Sequence, residues 1–399
     1  MPVSVNGIEL SFILDTGVSR PILFNILNFA DSLHLKNLKT ISLRGLGADG
    51  AVSSIKSEKN IVRIGKAINP NQDLYVVFDN SINFTPILGV PVHGIIGYDL
   101  LKDFIVEINY RRKFIKLHNP QTYTYRPCRK CESLNLSFNN NKPYLQADIL
   151  TQNEQNSVKL LIDTGGSDDL WLFENDSIGI KPKGDKYFDD YLGRGLSGSV
   201  YGKRSKVSQL KLKSFMFQDV NAAFPDSSSI SIAKTFKERN GSISGGLLRR
   251  FNLIVDYPSA KLTLKKNNNY NLPFEYNKSG IVLEQRGLRV VKELISPKFT
   301  DMYGRDNESG VLITTSVTYG YNLKPSFEVV VVRPNSAAEI AGIKVGDVVI
   351  SINGKATQNL SLQVVNKMFY LKTGNTIRMI VQRNNKNLAI QFKLENVFK

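Results

Sequence analysis

The chain has 399 residues, long enough for about two or three domains, and its 42% apolar content suits a folded core rather than a disordered chain. No apolar run approaches the length needed to cross a bilayer, which excludes a helical membrane span. The formal charge of +17 comes from scattered lysines. With no basic run, RNA-binding signature or paired zinc-ligand motif beside them, no nucleic-acid partner is expected.

In chain order, the first informative stretch is "LSFILDTGVS" at residues 10–19, where Asp15-Thr16-Gly17 follows three apolar residues. "LLIDTGGSDDLWLF" repeats the pattern at 160–173, with Asp163-Thr164-Gly165 lying 163 − 15 = 148 positions later. Asp, Thr and Gly are ordinary turn formers, so one such tripeptide would mean little. Three further pairs follow in the same order. "LRGLGADG" (43–50) matches "GRGLSGSV" (193–200) at an offset of 150. Gly97 in "GIIGYDLL" matches Gly245 in "GSISGGLL" at 148, and the run from Phe104 matches the run from Phe251 at 147. A constant order at nearly constant spacing is an internal duplication.

Between the repeats lies "CRKC", Cys128 and Cys131. One C-x-x-C is half a structural zinc site without its second half, and either a short-loop disulfide or two free thiols fits it. The three histidines, His34, His93 and His118, are far apart and outline neither a zinc site nor a Ser-His-Asp arrangement. No metal and no cofactor is expected. The second repeat has a strand-like "SLNLSF" (133–138) ahead of "KPYLQADIL" (142–150), whereas the first begins with the later strand. A full first repeat would carry about ten more residues, with room for a secretory signal before them.

The first two-thirds read as short β-strands between Gly, Asn and Pro turns, with helical patches near 97–103 and 245–250. Two similar β-rich halves imply a pseudo-twofold protein, in which Asp15 and Asp163 can meet at the axis. After "NNNYNLPFEYNKSG" the pattern changes. Residues 327–399 hold "FEVVVVRPNSAAEIAGIKVGDVVISINGK", a helix-like "LSLQVVNKMFYL", and the strands "TIRMIVQR" and "LAIQFKL". This stretch resembles a PDZ domain, the specific part running from Ser336-Ala337-Ala338 through Gly346-Asp347 to Ile352-Asn353-Gly354. The resemblance implies a loop that binds a peptide carboxylate. The candidate is Ser279, Gly280 and Ile281, with a rival near Asn322–Phe327 because an insertion of roughly 285–325 intervenes.

The doubled Asp-Thr-Gly, each followed by a Gly about 82 positions on, resembles the aspartic proteases, and more closely a duplicated single-chain retropepsin. The fold class so implied is mainly β, with two pseudo-twofold-related retropepsin-like barrel lobes and a PDZ domain. The expected boundaries are 1–125 and 126–270 for the lobes and 276–399 for the PDZ domain. The resemblance implies an aspartic endopeptidase acting on polypeptide substrates, with Asp15 and Asp163 as the catalytic pair. Thr16 and Thr164 would cross-bond between the two loops, and Gly17 and Gly165 would bring backbone amides close to the carboxylates. Gly97 and Gly245 would let a strand pass under each loop. Gly45, Gly47, Gly195 and Gly198 would form flap tips closing over substrate. Trp171 reads as a core anchor of its lobe.

Arg44 and Arg194, just before the flap tips, read either as solvated hairpin residues or as groups favouring acidic substrates. The PDZ domain would recruit a peptide or protein partner. A catalytically silent peptide-binding scaffold is the alternative reading. The resemblance to bacterial secreted proteases of this architecture implies an extracytoplasmic setting. In pepsin-like enzymes the third residue after the catalytic Asp usually donates a hydroxyl, but here it is Val18 or Gly166. Fewer donors to the pair imply raised apparent pKa values and activity from mildly acid to near-neutral pH.

Overall fold

The computed structural model describes residues 1–79, 82–151, 154–295 and 318–398. The chain forms two compact units, one of Met1–Phe84, Pro91–Tyr276 and Val397–Lys399, the other of Thr85–Val90 and Asn277–Asn396. No helix among the described residues is long and apolar enough to cross a membrane.

The first unit opens with β1 (Pro2–Val5) and β2 (Ile8–Leu14), joined at Asn6-Gly7, whose φ values of 49° and 93° are those of a tight two-residue hairpin turn. Val3, Val5, Leu10, Phe12 and Leu14 alternate inward along these strands. Next come β3 (Ile22–Leu23), β4 (Lys39–Leu43), β5 (Val52–Ile64), β6 (Ala67–Val76) and, beyond helical turn α1 (Thr85–Leu88) of the other unit, β7 (Gly94–Ile96). Their order is β1-β2-β7-β3-β6-β5, and a β1–β5 pairing closes six strands into a barrel. Strand β4 pairs with β5 outside that ring.

After α2 (Tyr98–Leu101) come β8 (Ile105–Asn109), β9 (Phe114–His118) and β10 (Cys131–Asn135). The second lobe follows with β11 (Ser137–Asn139), β12 (Lys142–Thr151), β13 (Glu154–Asp163), β14 (Leu170–Leu172), β15 (Phe188–Gly195), β16 (Gly198–Leu212), β17 (Phe215–Pro225) and β18 (Gly241–Ser244). The order β12-β13-β18-β14-β17-β16 closes through a β12–β16 pairing, giving a second six-strand barrel. The run "SLNLSF" is divided between β10 and β11 rather than continuous, since β10 pairs with β20 whereas Ser137–Asn139 pair with β12. Cys128 and Cys131 form a disulfide.

Helix α3 (Gly245–Leu248), β19 (Phe251–Asp256) and β20 (Lys261–Lys266) complete the lobe. A five-stranded sheet, β10-β20-β19-β8-β9, draws on both repeats. At its centre β8 and β19 run antiparallel, with Val106 opposite Val255 and Ile108 opposite Leu253. At the 147 offset Val106 corresponds to Leu253 and Ile108 to Val255. Exchanging the repeats therefore maps the pairing onto itself, as a twofold axis between the strands requires. One apolar core, including Leu14, Leu101, Val106, Ile162, Leu248 and Val255, runs through both barrels and this sheet.

The second unit is a sheet ordered β21-β22-β23-β25-β26, built from β21 (Ile281–Ile295), β22 (Thr318–Val332), β23 (Val348–Ile352), β25 (Thr376–Arg383) and β26 (Lys386–Lys393), with β24 (Lys355–Ala356) pairing with β23. Helices α4 (Ala337–Ile340) and α5 (Leu362–Met368) are capped by Ser336 and Ser361, whose hydroxyls accept from Glu339 and Val364 N–H. Phe327, Val329, Val365, Phe369 and Ile377 form its separate core. Asp347, fully buried, takes both arms of Arg383 at 2.6 and 2.7 Å. The described part of the insertion is a two-stranded ribbon of β21 and β22, and 296–317 lies outside the described residues. The rival loop near Asn322–Phe327 is thereby corrected: it is mid-strand, Asn322 opposite Val291 and Phe327 opposite Gln285.

Candidate active site

Strands β2 and β13 each end where their apolar run meets an acid. Asp15 N–H bonds to the Ile96 carbonyl of β7, and Asp163 lies opposite Ser244 of β18, so each acid leaves the barrel at the same place. The two loops then interlock. Thr16 N–H donates to Thr164 Oγ1 at 3.1 Å, and Thr164 N–H donates to Thr16 Oγ1 at 3.1 Å. Each hydroxyl also donates across the axis, Thr16 to the Ile162 carbonyl at 2.5 Å and Thr164 to that of Leu14 at 2.8 Å. Thr16 is completely buried.

This lock brings the Asp15 and Asp163 carboxyls within hydrogen-bonding reach of each other. Asp15 Oδ1 accepts from Gly17 N–H at 2.7 Å, while Asp163 Oδ1 accepts from Gly165 and Gly166 N–H at 3.0 and 2.8 Å. A side chain at Gly165 would put its Cβ 2.5 Å from Asp15 Cγ, and one at Gly97 would put it 2.1 Å from the Asp15 carbonyl oxygen. Neither approach has room for more than hydrogen. Gly245 sits likewise against the Gly166 carbonyl, 2.6 Å from where a Cβ would stand.

Burial, followed by the charge of Asp163, pushes the Asp15 carboxyl up to about 7. Burial also raises Asp163, opposed by the Gly166 amide, Arg239, the Gly165 amide and Lys142. Two cations therefore attend the pair, Arg239 buried and Lys142 half-buried. Arg239 donates to the Gly241 carbonyl at 3.1 Å and to Ser242 Oγ at 2.7 Å, and it stacks over Phe173. Lys142 starts β12 just after Asn140, whose carbonyl accepts from Ser19 Oγ of the opposite lobe at 2.6 Å. Among the described residues, Asp15 and Asp163 both act on Lys142, and Asp163 acts on Arg239. Neither cation falls on a repeated landmark, so no sequence signal marked them.

The glycine segments lie at hairpin tips, Gly45 and Gly47 between β4 and β5, and Gly195 and Gly198 flanking the turn from β15 to β16. The tips are bonded to each other. Ser197 N–H donates to the Leu46 carbonyl at 2.8 Å, Asp49 N–H to the Ser197 carbonyl at 2.9 Å, and Gly45 N–H to Ser197 Oγ at 3.0 Å. Arg44 is exposed, with Ser231 Oγ 3.4 Å away. Arg194 lines a cavity of about 450 Å³ with Asp49, Val52, Phe78, Asp79 and Leu196, and its buried Nε has no partner among the described residues. Trp171 is a correction. It is half-buried, packed against two small buried clusters at the edge of the lobe's main core, and its indole N–H donates to Asp168 Oδ2 at 2.6 Å. In the second unit Ser279 and Gly280 lead into Ile281, the first residue of β21, which stands at the end of its sheet.

The fold is thus mainly β, with two closed barrels whose Asp-Thr-Gly loops interlock, followed by a separate small sheet unit. Residues 1–100 match the aspartyl protease family, and residues 328–383 match the PDZ domain. Over 75 residues the chain is also 36% identical to "Serine protease Do-like HtrA" of Lactobacillus helveticus. That stretch covers 18% of this chain and 18% of that protein.

Proposed function

We propose that the chain is an aspartic endopeptidase in which Asp15 and Asp163 form one catalytic pair. The observation that carries this reading is the reciprocal Thr16–Thr164 lock, which holds two half-buried carboxyls in hydrogen-bonding reach with fixed amides on each. Two such carboxyls cannot both ionise cheaply, so the pair keeps one proton. The ionised member takes a proton from a water as its oxygen attacks the peptide carbonyl, while the protonated member donates a hydrogen bond to the carbonyl oxygen. In the next step the proton taken from water passes to the departing amine, the C–N bond breaks and no covalent enzyme intermediate forms. The titration belongs to the pair, so neither Asp is named the base.

The PDZ region implies peptide binding, and its role here would be to recruit substrate or partner beside edge strand β21. An extracytoplasmic setting is supported by the Cys128–Cys131 disulfide. The test is incubation with a diverse peptide mixture beside an Asp163→Asn control. New termini made by the wild type alone support the endopeptidase. An inert wild type that still binds peptides would favour the silent scaffold instead.

A further inference from the structure

The start of β21 already holds one of the chain's own side chains. Asn277 Oδ1 accepts from Ser279 N–H at 3.0 Å, from Ser279 Oγ at 2.7 Å and from Gly280 N–H at 3.3 Å. Its Nδ2 donates to the Ile281 carbonyl at 2.7 Å. Ser279 Oγ in turn accepts from Ile281 N–H at 3.0 Å. All three amides that open the strand are therefore satisfied, and so is the first strand carbonyl.

An incoming C-terminus would need those same groups. A peptide added beside an edge strand and ending at this loop offers carboxylate oxygens to the amides and its last N–H to a strand carbonyl. A carboxamide carries an acceptor oxygen and a donor nitrogen on one carbon, so the Asn277 side chain meets both demands at once. Its surroundings hold it there. Gly280, at φ +82°, has no room for a Cβ, which would fall 2.3 Å from Ser336 Cβ. The Gly280 carbonyl accepts from Arg333 N–H at 2.8 Å, the Ser279 carbonyl from Ala338 N–H at 3.3 Å, and the Asn277 carbonyl from Arg333 Nη2 at 3.3 Å. Ser279 is fully buried. A carboxylate entering this seat must first break the hydrogen bonds of Asn277, which removes its usual advantage.

We propose that Asn277 is the resident occupant of the carboxylate seat, so that the PDZ region takes extended peptides with no preference for a free C-terminal carboxylate. This rests on the peptide-binding reading of that region. The test uses the full chain carrying Asp163→Asn, so that probes stay uncut, on two arrays of the same short random peptides. One array presents free α-carboxylates, the other C-terminal amides. The expected result is equal binding to both arrays. Adding Asn277→Ala should raise binding to the free-carboxylate array about tenfold, and leave the amidated array unchanged, about 1.4 kcal/mol returned by emptying the seat. Asn277→Asp keeps the acceptor and adds a negative charge, so it should stay blind to free carboxylates. Intact melting transitions exclude simple unfolding of either variant. A free-carboxylate preference with Asn277 in place would overturn the inference, as would equal changes on both arrays for Asn277→Ala. Binding to neither array by any variant would instead overturn the peptide-binding reading beneath it.

Discussion

Leu46 and Leu196 occupy equivalent positions at the two flap tips, 150 residues apart, and each packs against the lobe from which the other comes. Leu46 packs against the buried cluster of Phe173, Ile230 and Ala233 in the second lobe, while Leu196 packs against that of Phe24, Val77, Ile82 and Val92 in the first. The hydrogen bonds between Leu46, Asp49 and Ser197 run across this exchange, so apolar contact and backbone pairing close the tips together. Truncating Leu46 to Ala removes a half-buried side chain worth about 1–1.5 kcal/mol. Amide exchange at Asp49 and Ser197 should then quicken about tenfold, with the melting temperature nearly unchanged, because the barrels do not depend on the tips. Unaltered exchange would show that the latch does not rest on this leucine.

The threonine lock should be energetically asymmetric to its conservative change. Thr16→Ala removes the acceptor for the Thr164 amide and the donor to the Ile162 carbonyl in a fully buried place. The expected loss is about 1–3 kcal/mol in denaturant unfolding, with a fall in kcat as the carboxyls lose alignment. Thr16→Ser keeps the hydroxyl and should restore most of both. Equal damage from Ser and Ala would assign the effect to packing of the methyl group.

The carboxyl pair should make stability depend on pH. Burial and the charge of Asp163 push the Asp15 carboxyl from 3.8 in the unfolded chain up to about 7 in the folded one, where its proton is shared with Asp163. A raised folded pKa means that the folded state holds the proton more tightly than the unfolded one. Stability is then fully present below about 3.8 and declines as pH rises through about 7, at a slope of up to about 1.4 kcal/mol per pH unit for one proton. Asp15→Asn should abolish hydrolysis and flatten this decline between pH 4 and 7. A variant that unfolds with the wild-type slope would place the titration elsewhere.

The pH–rate profile tests the two cations beside the pair. Asp15 receives one amide and Asp163 two, and the Ser19 hydroxyl turns to Asn140 rather than to Asp15. With the upper titration at about 7, peptide cleavage should peak in mildly acid to near-neutral conditions and fall as the pair loses its shared proton. Lys142 and Arg239 favour the ionised pair, joined in that by the glycine amides, and opposed by burial. Lys142→Met should therefore move both limbs of the profile upward, by roughly one unit, while Lys142→Arg leaves them in place. A uniform loss of rate with unshifted limbs would make Lys142 a structural residue only.

Much of this architecture is legible in the amino-acid order, and the rest is not, for a physical reason. Duplicated landmarks at nearly one offset specify two like lobes, because each copy carries the same local pattern, and strand periodicity with Asn and Gly turns specifies their β character, because those signals act between near neighbours. They also place Asp15 and Asp163 at equivalent strand ends. The closure of β1 on β5 and of β12 on β16, the exchange of Leu46 and Leu196, and the choice between disulfide and free thiols at Cys128 and Cys131 required the folded chain. The same holds for Lys142, Arg239 and Asn277. The role of such a cation or carboxamide is defined by what surrounds it in space, and a single Lys, Arg or Asn in a sequence already rich in them carries no periodic mark. Local order fixed which residues repeat, whereas long-range packing decided which of the unrepeated ones stand beside the pair and in the peptide seat.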